Sequence, residues 1–176
     1  MHEDIEEIIE IPEGVFASKN SLLNIKGKEG EVKRKIHVPY EIEENKIILK
    51  AKNSTKNKKR MIMAEKAHIS NMIKGVQKKF EYILQICFIH FPMTIKLEGK
   101  KLIIKNFLGE SKERKANIRD NVEVKIEGDK IKVFSVDKEA AGQTAATIES
   151  ATKVKNKDRR IFQDGIWIIK TPDKEY

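Results

Sequence analysis

The sequence repeats one order of strands, turns and helix with a period of roughly 80 residues, and this repeat limits the possible folds more than any other feature. In each half an apolar strand, at residues 22–27 and 102–107, precedes a Gly-Glu step, a basic stretch, another strand pair and a helical segment. Because the period exceeds the roughly 20–50 residues of a solenoid repeat, it predicts two similar domains in tandem. We expect the first domain at residues 1–82 and the second at residues 83–176.

Alternating apolar and polar residues predict antiparallel strands in both halves. Within residues 122–126, three β-branched side chains fall on one face, while Glu123 and Lys125 fall on the other. Gly128 then marks a tight hairpin turn, and Gly99 marks a turn of the same kind earlier in this half. Strands of this type bury a single face, so a helix is expected to cover that face.

Two helices are predicted, one in each half. The first runs from about Thr55 to Phe80, because apolar residues recur there at helical spacing. The apolar stripe consists of Ile62, Ile69, Ile73, Val76 and Phe80. The second begins after Asp137, a favourable N-cap, and is expected to bury Ala141, Ala145 and Ile148. Gly142 within it indicates close approach, either by the sheet beneath or by a ligand backbone. The predicted fold class is α+β, with two tandem similar domains that each pack a small antiparallel sheet against one long helix.

The charge distribution favours a polyanionic partner. The chain has 36 Lys and Arg against 27 Asp and Glu, which gives a net charge of +9. Residues 1–18 contain six acids and no Lys or Arg, so the remainder of the chain has a net charge of +15. A positive excess of this kind is typical of nucleic-acid-binding proteins. The alternative is a lysine-rich soluble protein whose charged side chains are simply solvated.

The sequence also predicts a soluble, intracellular protein. Cys87 is the only cysteine, so no disulfide can form within the chain, and its apolar neighbours indicate a buried, inert thiol. The N-terminus is acidic, unlike the basic start of a secretory signal. No apolar run approaches the roughly 20 residues that a membrane span needs.

Catalysis has no support in the sequence. The four histidines are scattered without the spacing of metal ligands, and one cysteine cannot complete a zinc site. Motifs for nucleotide binding and for a nucleophile elbow are missing, and the glycines fall at predicted turns. We therefore expect no enzyme activity, no metal and no cofactor.

Five separated segments are informative when they are taken together. They are residues 11–15 (IPEGV), 71–76 (NMIKGV), 90–92 (HFP), 106–110 (NFLGE) and 142–166, which begins GQTAA and ends FQDGI. In this order they resemble the L6 family of large-subunit ribosomal proteins, in its archaeal and eukaryotic branch. The resemblance implies a structural protein of the cytoplasmic ribosome that binds ribosomal RNA chiefly through its second domain, near the sarcin–ricin loop and the base of the factor-recruiting stalk. It also implies neighbouring large-subunit proteins as partners, with no membrane and no homo-oligomer.

The basic segment near the end of the chain is the predicted centre of RNA binding. Its cations can contact phosphates, Asn156 can bond to sugar or base edges, and polar side chains early in the second helix can add contacts. The predicted RNA-binding residues are Gln143, Thr144, Lys153, Lys155, Asn156, Lys157, Arg159 and Arg160, extended by Lys112, Arg114, Lys115 and Arg119. Because only 6% of residues are aromatic, recognition of folded RNA through shape and phosphates is favoured over stacking on single strands.

A second hypothesis keeps the duplicated fold but gives it another role, that of a non-ribosomal RNA-binding adaptor or a protein–protein scaffold. The two hypotheses differ in what the protein accompanies in the cell. A ribosomal component is expected to co-sediment with the large subunit at moderate salt. An adaptor is expected to be largely free of ribosomes, with its acidic N-terminus or its apolar edges engaged by another protein.

Overall fold

The computed structural model describes residues 4–19, 21–43, 45–52, 55–158 and 160–175. The chain divides into two units, Met1–Lys79 and Phe80–Tyr176. Within these ranges, each unit contains two small antiparallel sheets and one α-helix. The predicted α+β class and its tandem arrangement are therefore confirmed.

In the part of the chain that the structure describes, the first unit contains six strands and one α-helix. They are β1 (Ile5–Glu10), β2 (Phe16–Lys19), β3 (Leu23–Gly27), β4 (Gly30–Arg34), β5 (Tyr40–Glu43), β6 (Lys46–Ala51) and α1 (Lys56–Gln77). One sheet has the strand order β1-β6-β5 and the other has the order β2-β3-β4. Alternate residues of β3 and β6 face inwards, so Leu23, Ile25, Ile47 and Leu49 are fully buried. Helix α1 contacts both sheets and closes this core.

The predicted apolar stripe of α1 is buried over four of its five members. Ile62, Ile69, Ile73 and Val76 all lie in the core. The helix begins after Thr55, whose side chain accepts a hydrogen bond from the Lys58 N–H at 3.4 Å. It ends at Gln77 because the next residue, Lys78, has an extended backbone. The prediction that Phe80 belongs to this helix is wrong, since Phe80 is the first residue of the following strand.

In the described residues, the second unit contains seven strands, one α-helix and a short 3-10 helix at Phe107–Gly109. The strands and the α-helix are β7 (Phe80–Cys87), β8 (Thr94–Glu98), β9 (Lys101–Lys105), β10 (Arg114–Asn117), β11 (Val122–Glu127), β12 (Lys130–Ser135), α2 (Lys138–Ala151) and β13 (Gly165–Lys170). One sheet has the order β11-β12-β7-β13 and the other has the order β10-β9-β8. The turn predicted at Gly128 joins β11 to β12, and the turn predicted at Gly99 joins β8 to β9. Both glycines have a positive φ of +57°, which favours glycine at these turns.

Helix α2 lies across the four-stranded sheet of the second unit. It begins after the predicted N-cap, since the Asp137 carboxylate accepts from the Glu139 N–H at 2.9 Å. The predicted face of Ala141, Ala145 and Ile148 is fully buried. A Cβ atom at Gly142 would lie 2.9 Å from the Tyr82 hydroxyl on β7. The close approach at Gly142 is therefore that of the sheet beneath the helix.

The two units share one order of elements, and they differ at a single strand. The sheet β1-β6-β5 corresponds to β7-β12-β11, and β2-β3-β4 corresponds to β8-β9-β10. In the second unit α2 is followed by β13, which pairs with β7 on the side away from β12. Among the described residues no strand takes the equivalent place beside β1. The second copy thus departs from the first in the segment between α2 and the chain end.

Candidate nucleic-acid interface

The closing loop, residues 152–164, connects α2 to β13 and is fixed at its start by a buried threonine. The Thr152 hydroxyl donates to the Glu149 carbonyl at 3.1 Å and accepts from the Ile166 N–H at 2.9 Å. Thr152 is 2% exposed, so it links the end of α2 to the start of β13 inside the protein. Val154 also packs against the core. Lys153, which lies between these two residues, is exposed to solvent.

Asp164 fixes the other end of the closing loop. Its carboxylate is 1% exposed and accepts hydrogen bonds from the backbone N–H groups of Ile89 and His90. The His90 Nδ1 atom lies 2.5 Å from the second carboxylate oxygen. Burial raises the pKa of Asp164, but these hydrogen bonds lower it, and the net pKa is below the ordinary value of 3.8. An ionised carboxylate thus ties the loop to the segment that leaves β7.

Arg114 connects the hairpin loop, residues 106–113, with the end of α2. Its guanidinium forms a bidentate pair with Glu110, with distances of 2.8 and 2.6 Å. The same side chain donates to the Ala151 and Lys153 carbonyls at 3.0 and 3.1 Å and lies 4.2 Å from the centre of the Phe107 ring. These hydrogen bonds occupy four of its five N–H donors within the protein. We therefore assign Arg114 a positioning role, in place of the RNA contact expected from its charge.

Four lysines line one shallow cleft between the hairpin loop and the closing loop. This cleft of about 430 Å³, termed the basic cleft, is lined by Lys112, Lys115, Lys153 and Lys155. All four are exposed, and among the described residues none of them forms an ion pair. These lysines were predicted in two separate segments, about 40 positions apart, and the fold brings the two segments together.

The acidic residues of the basic cleft are already paired with other cations. Hydrogen bonding to Arg114 lowers the pKa of Glu110 despite the opposing effect of burial. A hydrogen bond from Lys105, 2.6 Å away, likewise lowers the pKa of Glu113. Both carboxylates are therefore ionised and engaged at neutral pH. The positive charge of the four lysines is left available to an external anion.

The tip of the closing loop presents three further predicted residues to solvent. Asn156 has φ of +56°, a left-handed conformation that asparagine adopts more readily than most residues. Lys157 lies 4.4 Å from the centre of the Phe162 ring. Arg160 is exposed, and its backbone N–H donates to the Asp158 carboxylate at 2.9 Å. Arg159 lies outside the described residues.

The remaining predicted residues lie away from the basic cleft. Gln143 is exposed in the second turn of α2, whereas Thr144 is fully buried. The Thr144 hydroxyl donates to the Ala140 carbonyl at 2.8 Å and accepts from the Arg119 N–H at 3.4 Å. The prediction that Thr144 faces an external ligand is corrected, because its side chain holds the β10–β11 connection to α2. Arg119 is exposed and lines a separate cleft with Lys100.

Two structural contributors were missed by reasoning from the sequence. Thr152 and Asp164 position the closing loop, yet neither is among the residues predicted for the site. Its partners Ile89 and His90 lie more than 70 positions earlier in the chain, so no local pattern reveals the contact.

Within the described ranges no group of three His, Cys, Asp or Glu side chains is placed to hold a metal ion. No helix in the described part of the chain is long and apolar enough to cross a membrane.

The duplicated α+β fold and the exposed lysines of the basic cleft are features expected of a polyanion-binding protein. Comparison with known proteins gives the family. The ribosomal protein L6 profile matches residues 11–79 and 91–165, and the chain belongs to this family. The large ribosomal subunit protein uL6 of Methanosarcina mazei is 44% identical over 173 residues, covering 96% of this chain and 98% of the relative.

Two further archaeal proteins with the same name match at similar levels. The uL6 protein of Methanobrevibacter smithii is 45% identical over 94% of this chain and 95% of its own length. That of Nanoarchaeum equitans is 46% identical over 91% of this chain and 90% of its own length. The protein is accordingly a structural component of the large subunit of the cytoplasmic ribosome, with ribosomal RNA and ribosomal proteins as partners. The resemblance to the archaeal and eukaryotic branch is confirmed, and so is the expectation that the protein is not an enzyme.

Proposed function

We propose that the second unit is the main RNA-binding unit and that the basic cleft is the centre of its contact with large-subunit ribosomal RNA. One observation carries this proposal, namely that lysines from two distant segments line a single cleft whose carboxylates are already paired. The exposed side chains of Asn156, Lys157 and Arg160 extend the surface along the closing loop.

The geometry supports recognition of RNA shape through its phosphates. Lysine side chains reach several phosphate oxygens without fixed donor geometry, so they follow a folded backbone more readily than they read a base sequence. The loops that carry the lysines are held by Thr152, Asp164 and Arg114 through contacts within the protein. The cations are therefore presented in a defined arrangement before RNA binds, which reduces the entropy cost of association.

Paired lysine substitutions test this surface. The variant K153A/K155A is expected to weaken binding to a transcript of large-subunit ribosomal RNA and to lower the slope of log affinity against log salt by about one unit per lost phosphate contact. The matched control, K28A/K46A, removes the same charge from exposed positions of the first unit. An unchanged slope in K153A/K155A, or an equal change in the control, would show that the basic cleft is not the contact.

We further propose that this surface lies near the sarcin–ricin loop and the base of the stalk, where it supports the region at which translation factors dock. This placement is supported by the family resemblance in the second unit and by the cations that the fold gathers there. A directed probe tests it. An iron chelate attached at K155C, in a C87A background, is expected to cleave the RNA of reconstituted large subunits at the sarcin–ricin loop. Cleavage confined to other RNA regions would contradict the placement.

A further inference from the structure

An exposed aromatic cleft lies beside the closing loop and contains none of the lysines of the basic cleft. This cleft of about 640 Å³ is lined by Phe88, Ile89, Val154, Phe162, Gln163, Trp167 and the turn residue Asp129, and is termed the aromatic cleft. Phe88, Ile89 and Trp167 are 44%, 69% and 40% exposed. Large apolar side chains grouped at a protein surface mark a binding site more often than chance exposure.

The Trp167 ring is fixed as a platform. Its indole N–H donates to the Gln163 carbonyl at 3.2 Å. A Cβ atom at Gly165 would lie 3.3 Å from three atoms of the indole, so the ring rests against the backbone at a position where glycine leaves room for it. The backbone of Gly165 is itself buried next to Ile166. The indole is therefore held in place before any ligand arrives.

Phe162 places a cation at the edge of the same cleft. Its ring stacks on His90 with centroids 4.9 Å apart and an interplanar angle of 25°. The Lys157 ammonium lies 4.4 Å from the ring centre. Because His90 is also bound to Asp164, this wall of the cleft is fixed to the end of the closing loop. The Lys157 charge thus lies next to a ring that lines the aromatic cleft.

We propose that the aromatic cleft binds one unpaired nucleobase of the ribosomal RNA, which stacks on Trp167 while its phosphate is held by Lys157. Stacking uses the flat face that every base presents, and the apolar wall formed by Phe88 and Ile89 excludes water from it. Gln163 and Asp129 also line this cleft, and an amide and a carboxylate are groups that recognise base edges. The Gln163 amide N–H donates to the Arg160 carbonyl at 3.3 Å, which leaves its second N–H and its carbonyl oxygen for a base. This inference rests on the proposed function, since the base belongs to the RNA that the basic cleft holds.

Charge and shape favour a nucleobase over an apolar protein segment. The cleft adjoins a loop that exposes Lys155, Lys157 and Arg160, while the Asp158 carboxylate of that loop accepts a hydrogen bond from the protein backbone. A partner at this place must therefore carry negative charge beside a flat apolar group. A nucleotide has both features in one unit, and the cleft volume lies within the roughly 300–1,000 Å³ of small-ligand sites.

Trp167 is the only tryptophan in the chain, so its fluorescence reports directly on this cleft. Titration of the full-length protein with a transcript of large-subunit ribosomal RNA is expected to quench the Trp167 emission along the same isotherm as RNA binding. The variant W167L keeps an apolar side chain but has no aromatic face, and it is expected to bind roughly fivefold to 150-fold more weakly. Its salt slope stays unchanged because no phosphate contact is lost.

The matched variant W167Y retains a stacking ring and is expected to bind within about threefold of the wild type, given that stacking tolerates any aromatic face. Thermal unfolding of each variant separates a folding defect from a binding defect, and F88A repeats the test at a second aromatic residue of the cleft. If W167L and F88A bind RNA normally while K153A/K155A flattens the salt slope, the nucleobase proposal fails and the basic cleft stands. If none of them changes binding, the proposed function fails as well. If W167L binds RNA normally but releases a neighbouring protein from the subunit, the cleft is a protein-docking surface and the proposal is overturned.

Discussion

Asp164 accepts hydrogen bonds from two backbone N–H groups and from His90, and this one carboxylate joins the closing loop to the segment after β7. Its side chain is almost fully buried, so water cannot replace a lost acceptor. Arg114 performs a comparable task with a cation by binding Glu110 and two carbonyls at the end of α2. At the scale of single residues, the charged groups near the proposed RNA surface are of two kinds. Asp164 and Arg114 hold the loops in position, whereas the lysines of the basic cleft are available to bind RNA phosphates.

Replacement of Asp164 by Asn is expected to destabilise the protein by about 1–3 kcal/mol at neutral pH, because the charged acceptor is lost at a buried position that water cannot reach. The pKa of Asp164 is lower in the folded state than its ordinary value of 3.8, so this contribution is fully present above that value. It is lost as the pH falls through the folded-state pKa. Denaturant unfolding at several pH values checks this, with the difference between wild type and D164N constant at neutral pH and shrinking below about pH 4.

The exposed carboxylate of Asp158 provides the control for this pH series. The variant D158N changes the same charge in the same loop, and its effect on unfolding is expected to stay within about 0.5 kcal/mol, as for most surface substitutions. A difference between wild type and D164N that does not vary between pH 7 and pH 3 would show that ionisation of Asp164 is irrelevant to stability.

Arg114 and Lys115 are adjacent cations for which opposite results are expected. The variant R114K keeps the charge but cannot form the bidentate pair or reach both carbonyls, so it is expected to lose about 1–2 kcal/mol of stability. Its RNA salt slope should change little. K115A is expected to leave stability within about 0.5 kcal/mol of wild type and to lower the salt slope by about one unit. Parallel unfolding and RNA-binding titrations distinguish the two, and a lower slope in R114K would contradict the positioning role.

At the scale of elements, the alternation of residues was enough to predict the hairpin of β11 and β12, and the apolar stripe was enough to predict α1. The basic stretches after each Gly-Glu step are strands in the structure, namely β4 and β10. Both signals depend on neighbours within a few positions, and they fail where contacts are distant. Phe80 matched the helical spacing but is in β7, because Lys78 is already extended. Thr144 was predicted to contact RNA from the start of α2, yet its side chain is buried against the β10–β11 connection. The basic composition of the site was predictable, whereas its supports at Asp164 and Arg114 depend on tertiary contacts.

The contact between α2 and β7 gives a prediction about how closely these elements pack. G142A improves helix propensity by about 1 kcal/mol, but the new Cβ atom would lie 2.9 Å from the buried Tyr82 hydroxyl. We expect a net loss of about 1–2 kcal/mol, since overpacking shifts the helix from the sheet. In a Y82F background the hydroxyl is absent and the cost of G142A should fall. A double-mutant cycle in denaturant measures this coupling, and additive effects would show that the hydroxyl does not limit the approach.

At the scale of the whole molecule, net charge does not distinguish the two units. Residues 1–79 contain 17 basic and 12 acidic residues, and residues 80–176 contain 19 and 15, so the units carry +5 and +4. What differs is the arrangement of the charge. In the second unit, four lysines from separate segments share one cleft in which the acids are already paired. The proposal that the second unit dominates RNA binding therefore depends on where its lysines lie and not on their number. Two variants that lose the same charge from different units can test it in the assembled subunit.

The variant K112A/K115A/K153A/K155A and the control K26A/K28A/K46A/K59A each lower the net charge from +9 to +5. All eight lysines are exposed, so both variants are expected to fold. Because phosphate contacts make affinity fall steeply with salt, the cleft variant is expected to leave the large subunit at lower salt than the control. Sucrose gradients at increasing salt, probed for this protein, measure the difference. If the two variants dissociate at the same salt concentration, general electrostatic attraction holds the protein on the ribosome and the basic cleft has no special part in it.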